Sequence, residues 1–375
     1  MRVGIDIREL EKGKRTGIGR YLRNFIAYAS SARPEHRFFL YGNQHTDPEI
    51  GGENIEVRIR PEGMTLWWDQ VVLPGLANQD RVDLFLSPFI KGPVRVGCPL
   101  VVTIHDLMFL VYTEYDSWRS RPKNALFRRM ATWVGRRADL IIADSDYSAR
   151  DIERLLGLDI AKVQVLPIGL DESYRPVEDE AALAEMRRRY GIEGPYIFYL
   201  GNFKPHKNVQ ALLRAFAGLE QERRDEYFLV LGGKPDAWTD ERKGLAEELG
   251  VGRQVRFIGL VPEEDMPTLY SGAALFVFPS LYEGFGLPPL EAMACGAPVV
   301  ASNRTSVPEV VGDAGLLVDP EDVEGMSREM EKVLGDAEEQ RRLRQLGLTR
   351  AAAFRSRDIC ERQMRILEEL AERER

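Results

Sequence analysis

Phe278-Pro-Ser-Leu-Tyr-Glu283-Gly-Phe-Gly286-Leu-Pro-Pro-Leu-Glu291-Ala-Met-Ala-Cys-Gly-Ala-Pro-Val299 is the stretch on which the reading of this chain turns. The residues leading into it, 273–278, are an apolar, aromatic-rich run of the kind a buried parallel strand requires. Gly284-Phe-Gly286 follows, a segment whose backbone can approach a ligand closely. Pro288 and Pro289 stand where a helix would begin, and there a proline's missing N–H costs nothing. The stretch therefore reads strand, glycine loop, helix, with Glu291 in the first helical turn. In one continuous helix Glu283 and Glu291 would be offset by ~80° around the axis. Because Glu283 precedes the turn, both can face one crevice at the carboxyl end of a strand, where open α/β sheets bind ligands.

Outward from this stretch the same alternation recurs. Strand-like runs lie at 3–7, 37–41, 55–59, 84–87, 99–104, 140–143 and 163–166, with helical patterns at about 21–30, in part of 65–78, at 119–137 and at 146–156. A turn-rich segment, Pro167-Ile-Gly-Leu-Asp-Glu-Ser-Tyr-Arg-Pro176, interrupts the series. It resumes with strands at 196–201, 227–231, 255–258, 273–278, 299–301 and 315–318, separated by helices, and ends in long charged helices from 322 to 375. Strands separated by helices at this spacing predict an α/β chain with parallel, doubly wound sheets. At 375 residues two domains are expected, residues 1–170 and 171–357. Ligands bind preferentially in the cleft two such domains face.

Composition narrows the class. The chain is 44% hydrophobic and 29% charged, as in globular proteins, and no run of eighteen apolar residues suggests a membrane span. Met1-Arg-Val-Gly-Ile-Asp-Ile enters a strand at once and leaves no room for a secretory signal. Cys98, Cys295 and Cys360 are odd in number and lack metal-ligand spacing, so reduced thiols in a cytoplasmic protein are expected. The net charge of −8 is uneven: residues 1–170 carry 24 Lys/Arg against 21 Asp/Glu, and residues 171–375 carry 27 against 38. That asymmetry fits an anionic partner on the first half, or a chance scatter of solvated charge.

Several side chains could carry chemistry. Gly201-Asn-Phe-Lys-Pro-His-Lys-Asn208 joins a strand to a helix, where backbone N–H groups and the helix dipole favour an anion, and Lys204 and Lys207 add charge. It matches neither Gly-x4-Gly-Lys-Ser/Thr nor Gly-x-Gly-x-x-Gly. It reads as a diphosphate cradle or as a solvated basic turn. Glu291 suits a ribose diol, which a carboxylate can grip by two hydrogen bonds, and Glu283 suits sugar hydroxyls beside the leaving phosphate. Singly, Glu291 reads as a first-turn residue complementing the helix dipole and Glu283 as a solvated loop residue. Together, with glycines between them, they read as a site. Gly17, Gly19 and Arg20 form a basic glycine loop before a helix, which reads as a phosphate or acceptor contact or as a surface loop. His105 and Asp106 close an apolar strand, with His105 a hydroxyl ligand or polariser or else a locally satisfied core residue. Asp144-Ser-Asp146 has the Asp-x-Asp form, but between strand and helix these are ordinary capping residues. No metal is expected.

The segment Arg119-Ser-Arg-Pro-Lys-Asn-Ala-Leu-Phe-Arg-Arg-Met-Ala-Thr-Trp-Val-Gly-Arg-Arg137 has seven basic residues and no acidic one, interleaved with Phe127 and Trp133 and preceded by Trp118. It reads as a peripheral contact with anionic membrane, or as a partly buried helix with a solvated basic face. No nucleic-acid module accompanies it.

The Glu-x7-Glu stretch, the loop at 201–208 and Pro308-Glu-Val-Val-Gly-Asp-Ala-Gly-Leu-Leu-Val-Asp-Pro320 together resemble the retaining glycosyltransferases of the GT-B fold called family 4, or group 1, including bacterial polysaccharide mannosyltransferases. The resemblance runs over nearly the whole chain and is most specific at 196–320. It implies two Rossmann-like domains, an acceptor-side domain at 1–170 and a nucleotide-sugar domain at 171–357, with the last helix, about 358–375, packing back on the first. It implies that Glu291 binds the ribose, that Glu283 binds the donor sugar, and that Phe285, Gly286 and Leu287 offer N–H groups beside Gly284. Lys207 would bind the diphosphate, with Lys204 and Asn202 beside it, and His105 would touch the transferred sugar. Gly17, Gly19 and Arg20 would belong to the first-domain loop. The family usually carries an Arg at the position of Asn202, so Lys204 or His206 would substitute for that charge, and Ile168 stands where the family has Asn. The implied reaction is metal-independent hexosyl transfer with retention, from a nucleotide-diphosphate sugar, GDP-mannose favoured, to a glycan or lipid-linked acceptor. No cofactor is implied beyond that donor substrate. A sugar-nucleotide epimerase of the same architecture and a non-catalytic lipid-associated scaffold are the competing readings.

Overall fold

The thirteen apolar runs form strands, and in the computed structural model they are parallel throughout. The structure describes residues 1–13, 16–47, 49–112 and 121–373. Seven strands make the first sheet: β1 (Arg2–Asp6), β2 (Arg37–Gly42), β3 (Ile55–Ile59), β4 (Leu84–Ser87), β5 (Leu100–Ile104), β6 (Leu140–Ala143) and β7 (Val163–Val165), in the order β3-β2-β1-β4-β5-β6-β7. Six make the second: β8 (Tyr196–Leu200), β9 (Phe228–Gly232), β10 (Val255–Gly259), β11 (Leu275–Phe278), β12 (Val299–Ser302) and β13 (Leu316–Val318), in the order β10-β9-β8-β11-β12-β13. In each sheet the order reverses beside the first strand, at β1 and β4 and again at β8 and β11. That reversal opens a crevice at the carboxyl ends of the strands. β5, β8 and β11 are buried along their whole length, which is why they read as unbroken apolar runs instead of alternating ones.

The chain divides into two units, Met1–Gly169 with Ser356–Arg375, and Leu170–Arg355. The first therefore includes the final helix, Ser356–Arg373, which packs on the helix Gly17–Ala32. Tyr28 donates to Glu361 at 2.6 Å, Arg33 pairs with Glu361 and Glu368 at 3.1 and 2.8 Å, and Gln363 donates to the Tyr21 hydroxyl at 2.6 Å.

Two local expectations need correction. The first long helix begins at Gly17 and not near Tyr21, because the Thr16 hydroxyl caps it by accepting from the Gly19 N–H. Gly17, Gly19 and Arg20 thus form its first turn and not a loop ahead of it. The helix after β11 spans Leu287–Ala294 and holds no acidic residue in its first turn. Glu291 sits one turn further in, too deep to act on the helix dipole's first turn.

Candidate active site

The second unit gathers its chemistry at the carboxyl ends of β8 and β11. After β8 the chain must turn sharply, and Gly233, at the end of β9, passes so close that a Cβ there would stand 1.9 Å from the Gly201 carbonyl oxygen. Tyr199 donates to the Asn202 carbonyl at 2.7 Å, and the Asn202 side chain accepts from the Lys204 N–H at 3.2 Å. The Phe203 N–H donates to Asp236 at 3.0 Å. A short turn, Pro205–Lys207, then leads through Asn208, at φ +54°, into the helix Val209–Ala217. Asn208 is held by donating to the Pro320 carbonyl at 2.7 Å.

This scaffold aims Lys207 at Glu283, with Nζ 2.6 Å from Oε1 and 5.4 Å from the centre of the Phe278 ring. Both side chains retain partial exposure, 13% and 14%. The Glu283 backbone is held from the opposite side: its N–H donates to Thr305 Oγ1 at 3.1 Å, and Ser306 Oγ donates to the Glu283 and Phe285 carbonyls at 2.9 and 2.8 Å. Thr305 itself adopts φ +58°, a strained conformation for a β-branched residue. Gly286 at φ +109° swings the chain into the helix, whose first N–H groups have no partner within it. Glu291 is buried and accepts from the Tyr270 hydroxyl at 2.8 Å. The structure therefore places Lys207 on Glu283, with Gly284, Phe285, Gly286 and Leu287 running from that pair into the helix bearing Glu291. Lys204 remains exposed on the loop. His206 does not replace the missing arginine: burial first, then Lys207 and Lys204, push its pKa down to about 3, so it is neutral.

The first unit assembles a different cluster. His105 follows β5 and is buried, with Nδ1 2.7 Å from Asp144 Oδ2. Ser148 Oγ donates to the His105 carbonyl at 3.1 Å. The Tyr21 ring meets the imidazole edge-on with centroids 5.3 Å apart, and its hydroxyl lies 3.3 Å from Thr103 Oγ1. The His105 pKa is raised: burial works against the charge, and the charge and hydrogen bond of Asp144 outweigh it. The capping expectation for Asp144 is thereby corrected. Ser145 is the cap of the helix Asp146–Leu156, accepting from the Ser148 N–H, while Asp144 turns inward to His105. Gly17, Gly19 and Arg20 precede Tyr21 on its helix, and the contacts of this cluster are made by Tyr21.

Residues 113–120, with Trp118 and Arg119, lie outside the described residues. The helix Arg121–Arg137 buries Ala131 and Val134 in the core with Trp68 and leaves Leu126 and Trp133 exposed. Arg128 and Arg137 are tied to backbone carbonyls of the fold. Among the described residues no group of three His, Cys, Asp or Glu side chains is placed to hold a metal ion, and no helix is long and apolar enough to cross a membrane.

Tyr270 and Gln363 gave no signal in the sequence. Thr305 and Ser306 sit in a polar run after β12 that could have pointed to them.

Residues 15–174 match the domain described as Glycosyltransferase Family 4, and residues 184–349 match that described as Glycosyl transferases group 1. The chain belongs to this glycosyltransferase family. It is 38% identical over 240 residues to an O-antigen chain mannosyltransferase B of Escherichia coli, covering 63% of this chain and 61% of that protein. It is 36% identical over 259 residues to the serotype-specific mannosyltransferase WbdA of Escherichia coli, covering 68% of this chain and 31% of that one. The match thus spans less than two thirds of these relatives' length. Among solved structures, sucrose-phosphate synthase from Thermosynechococcus elongatus superposes with a TM-score of 0.80 at 20% identity, covering 99% of each chain. That likeness establishes the shared GT-B fold of two Rossmann-like units. In this family member the paired carboxylates, the basic loop and the polar stretch at 301–309 belong to one unit, and His105 to the other.

Proposed function

We propose that the protein is a retaining, metal-independent glycosyltransferase that moves mannose from GDP-mannose to a glycan or lipid-linked acceptor in bacterial-type polysaccharide synthesis. The observation that carries this reading is the Lys207–Glu283 pair, seated where a basic loop and a glycine-initiated helix meet at the carboxyl ends of β8 and β11. Lys207 and the N–H groups of Phe285, Gly286 and Leu287 hold the diphosphate. Glu283 holds sugar hydroxyls, and buried Glu291 grips the ribose. The mannosyltransferase names of the relatives favour mannose as the transferred sugar. In the reaction the bond from the anomeric carbon to the diphosphate breaks, the acceptor oxygen bonds the same face, and its proton passes to the departing diphosphate. The protein's task is then positioning and stabilising the leaving charge. The exposed Leu126 and Trp133 on a helix rich in Arg and Lys favour a peripheral contact with anionic membrane.

Donor hydrolysis across a panel of nucleotide sugars tests the reading, with GDP-mannose expected to turn over fastest and without added metal. Equal turnover in chelator, and an α-product from an α-donor by NMR, are expected. If no nucleoside diphosphate raises the melting temperature, the glycosyltransferase reading fails and the scaffold alternative stands. Co-sedimentation with anionic vesicles at low salt checks the membrane contact.

A further inference from the structure

We infer that the outer edge of β3 is a self-association surface, pairing antiparallel with β3 of a second copy of this chain across a two-fold axis at Val57. Every residue involved belongs to the first unit, and the proposed reaction plays no part in it.

β3 ends the strand order of the first sheet and, among the described residues, pairs with β2 alone. An open strand edge invites pairing with another chain, and proteins commonly blunt it by shortening or bulging the strand. The other sheet edges are blunted in this way. β7 and β13 have three residues each, and the register of β10 shifts between Phe257 and Gly259. β3 instead runs for five residues in unbroken register with β2 and contains no proline.

Its backbone is half spent. The Phe38 N–H donates to the Asn54 carbonyl at 2.9 Å and the Arg60 N–H to the Gly42 carbonyl at 3.0 Å, so the even-numbered residues face β2. Backbone groups alternate sides along a strand, so Ile55, Val57 and Ile59 turn theirs outward. Of these, the Ile55 N–H donates to the Gly52 carbonyl at 3.1 Å, and the Ile59 carbonyl accepts from the Arg60 side chain at 3.1 Å. That leaves the Ile55 carbonyl, both groups of Val57 and the Ile59 N–H facing outward. An antiparallel copy needs those same groups. With Val57 opposite Val57, each valine N–H donates to the other's carbonyl, and each Ile59 N–H donates to the other copy's Ile55 carbonyl. The two groups already spent are the ones that would face each other in that register.

The side chains fit the same register. The strand reads Ile55-Glu-Val-Arg-Ile59, symmetric in polarity and antisymmetric in charge about Val57. Ile55 meets Ile59, and Glu56 meets Arg58, in each half of the pair. Val57 and Ile59 are 38% and 40% exposed, so apolar area remains to be covered. Glu56 and Arg58 pair with each other at 2.6 Å along the strand edge and stay partly exposed, within reach of the copy's opposite charge. Opposite charges directly across a strand pair stabilise it, and like charges destabilise it. A second copy supplies the whole complementary pattern by symmetry. A strand pair of this length buries less than a standard interface, so a weak dimer is expected, populated at about 10–100 µM.

Sedimentation velocity of the full chain from about 1 µM to about 200 µM tests this, with the mass expected to double across that range. Glu56→Arg sets like charges opposite each other in both halves, and so does Arg58→Glu. Each variant alone should stay monomeric. Mixed in equal amounts, the two restore opposite charges, and the dimer should return as a hybrid. Arg58 also pairs with Asp80 at 3.2 Å, so Val57→Lys, which sets like charges on the axis and touches no ion pair, decides the matter if Arg58→Glu unfolds. Val57→Lys should be monomeric with its circular-dichroism spectrum unchanged. A wild-type chain that stays monomeric to about 200 µM overturns the inference. So does a dimer that survives Glu56→Arg and Val57→Lys, or a mixture of the folded charge variants that associates no more than either alone.

Discussion

The two units carry clusters of opposite construction. In the second, Lys207, Glu283, Gly286 and Glu291 come from two short loop-to-helix stretches, and their partners Tyr270, Thr305 and Ser306 lie within a few dozen residues of Glu283. In the first, His105 depends on Asp144 across a strand pair and on Tyr21, which is braced by Gln363 at 342 positions' distance. A site meant to hold a multiply charged ligand can be made from one turn, because backbone N–H groups and a lysine at a helix start already form an anion site. A buried ionisable pair cannot, because its desolvation has to be offset by partners converging from separate elements.

Substitutions in each unit test that contrast. The largest effect is expected for Lys207→Met, which strips the cation from the diphosphate position and leaves Glu283 unpaired. Hydrolysis of the donor should fall about 100- to 1,000-fold, as when one transition-state donor is removed elsewhere. Activity within a factor of three of wild type would show that the local cluster does not hold the leaving group. Next is Glu291→Gln, which keeps a Tyr270 acceptor and loses the charge. Isothermal titration with GDP should weaken about tenfold or more, since hydrogen bonds to charged groups contribute about 1.5–3 kcal/mol. Unchanged GDP affinity would reduce Glu291 to an anchor for Tyr270.

Gly233→Ala probes the scaffold beneath the loop. Its Cβ would collide with the Gly201 carbonyl, backbone against backbone, so urea denaturation should show a loss of about 1–3 kcal/mol. GDP binding should weaken with it as the 201–208 loop shifts. The smallest effect belongs to the long-range construction of the first unit. Tyr28, Arg365 and Arg33 hold the Glu361 pKa down at about 2, against 4.5 ordinarily. A lowered carboxyl pKa contributes stability that is full above about 4.5 and is lost as pH falls toward 2. Hydrogen exchange of the helix Ser356–Arg373 should therefore quicken over that window, and Glu361→Gln should remove the pH-dependent part. The groups are largely exposed, so the change is expected to be modest. An acid response unaltered by the substitution would show that other contacts dock the helix.

Much of this was legible in the residues. The thirteen strands, their parallel sense and the doubly wound class follow from apolar runs separated by helix-length segments. The spacing of Glu283, Gly286 and Glu291 marked the strand–loop–helix unit. What escaped the sequence were relations that periodicity does not encode. Thr16 capped a helix earlier than its first apolar residue suggested, moving Gly17, Gly19 and Arg20 into it. Asp144 had the pattern of a cap, and only its neighbour's taking that duty freed it for His105. His206 looked like a spare cation until its burial between two lysines made it neutral.

By itself, then, the chain's order of residues determined which segments are strands, where glycine and proline turn them, and which charges sit near those turns, because these are local steric and hydrogen-bonding preferences. Tertiary structure decided which polar groups face one another and which are charged. Pairing and protonation depend on burial and on neighbours from distant segments, and those exist only once the sheets are packed.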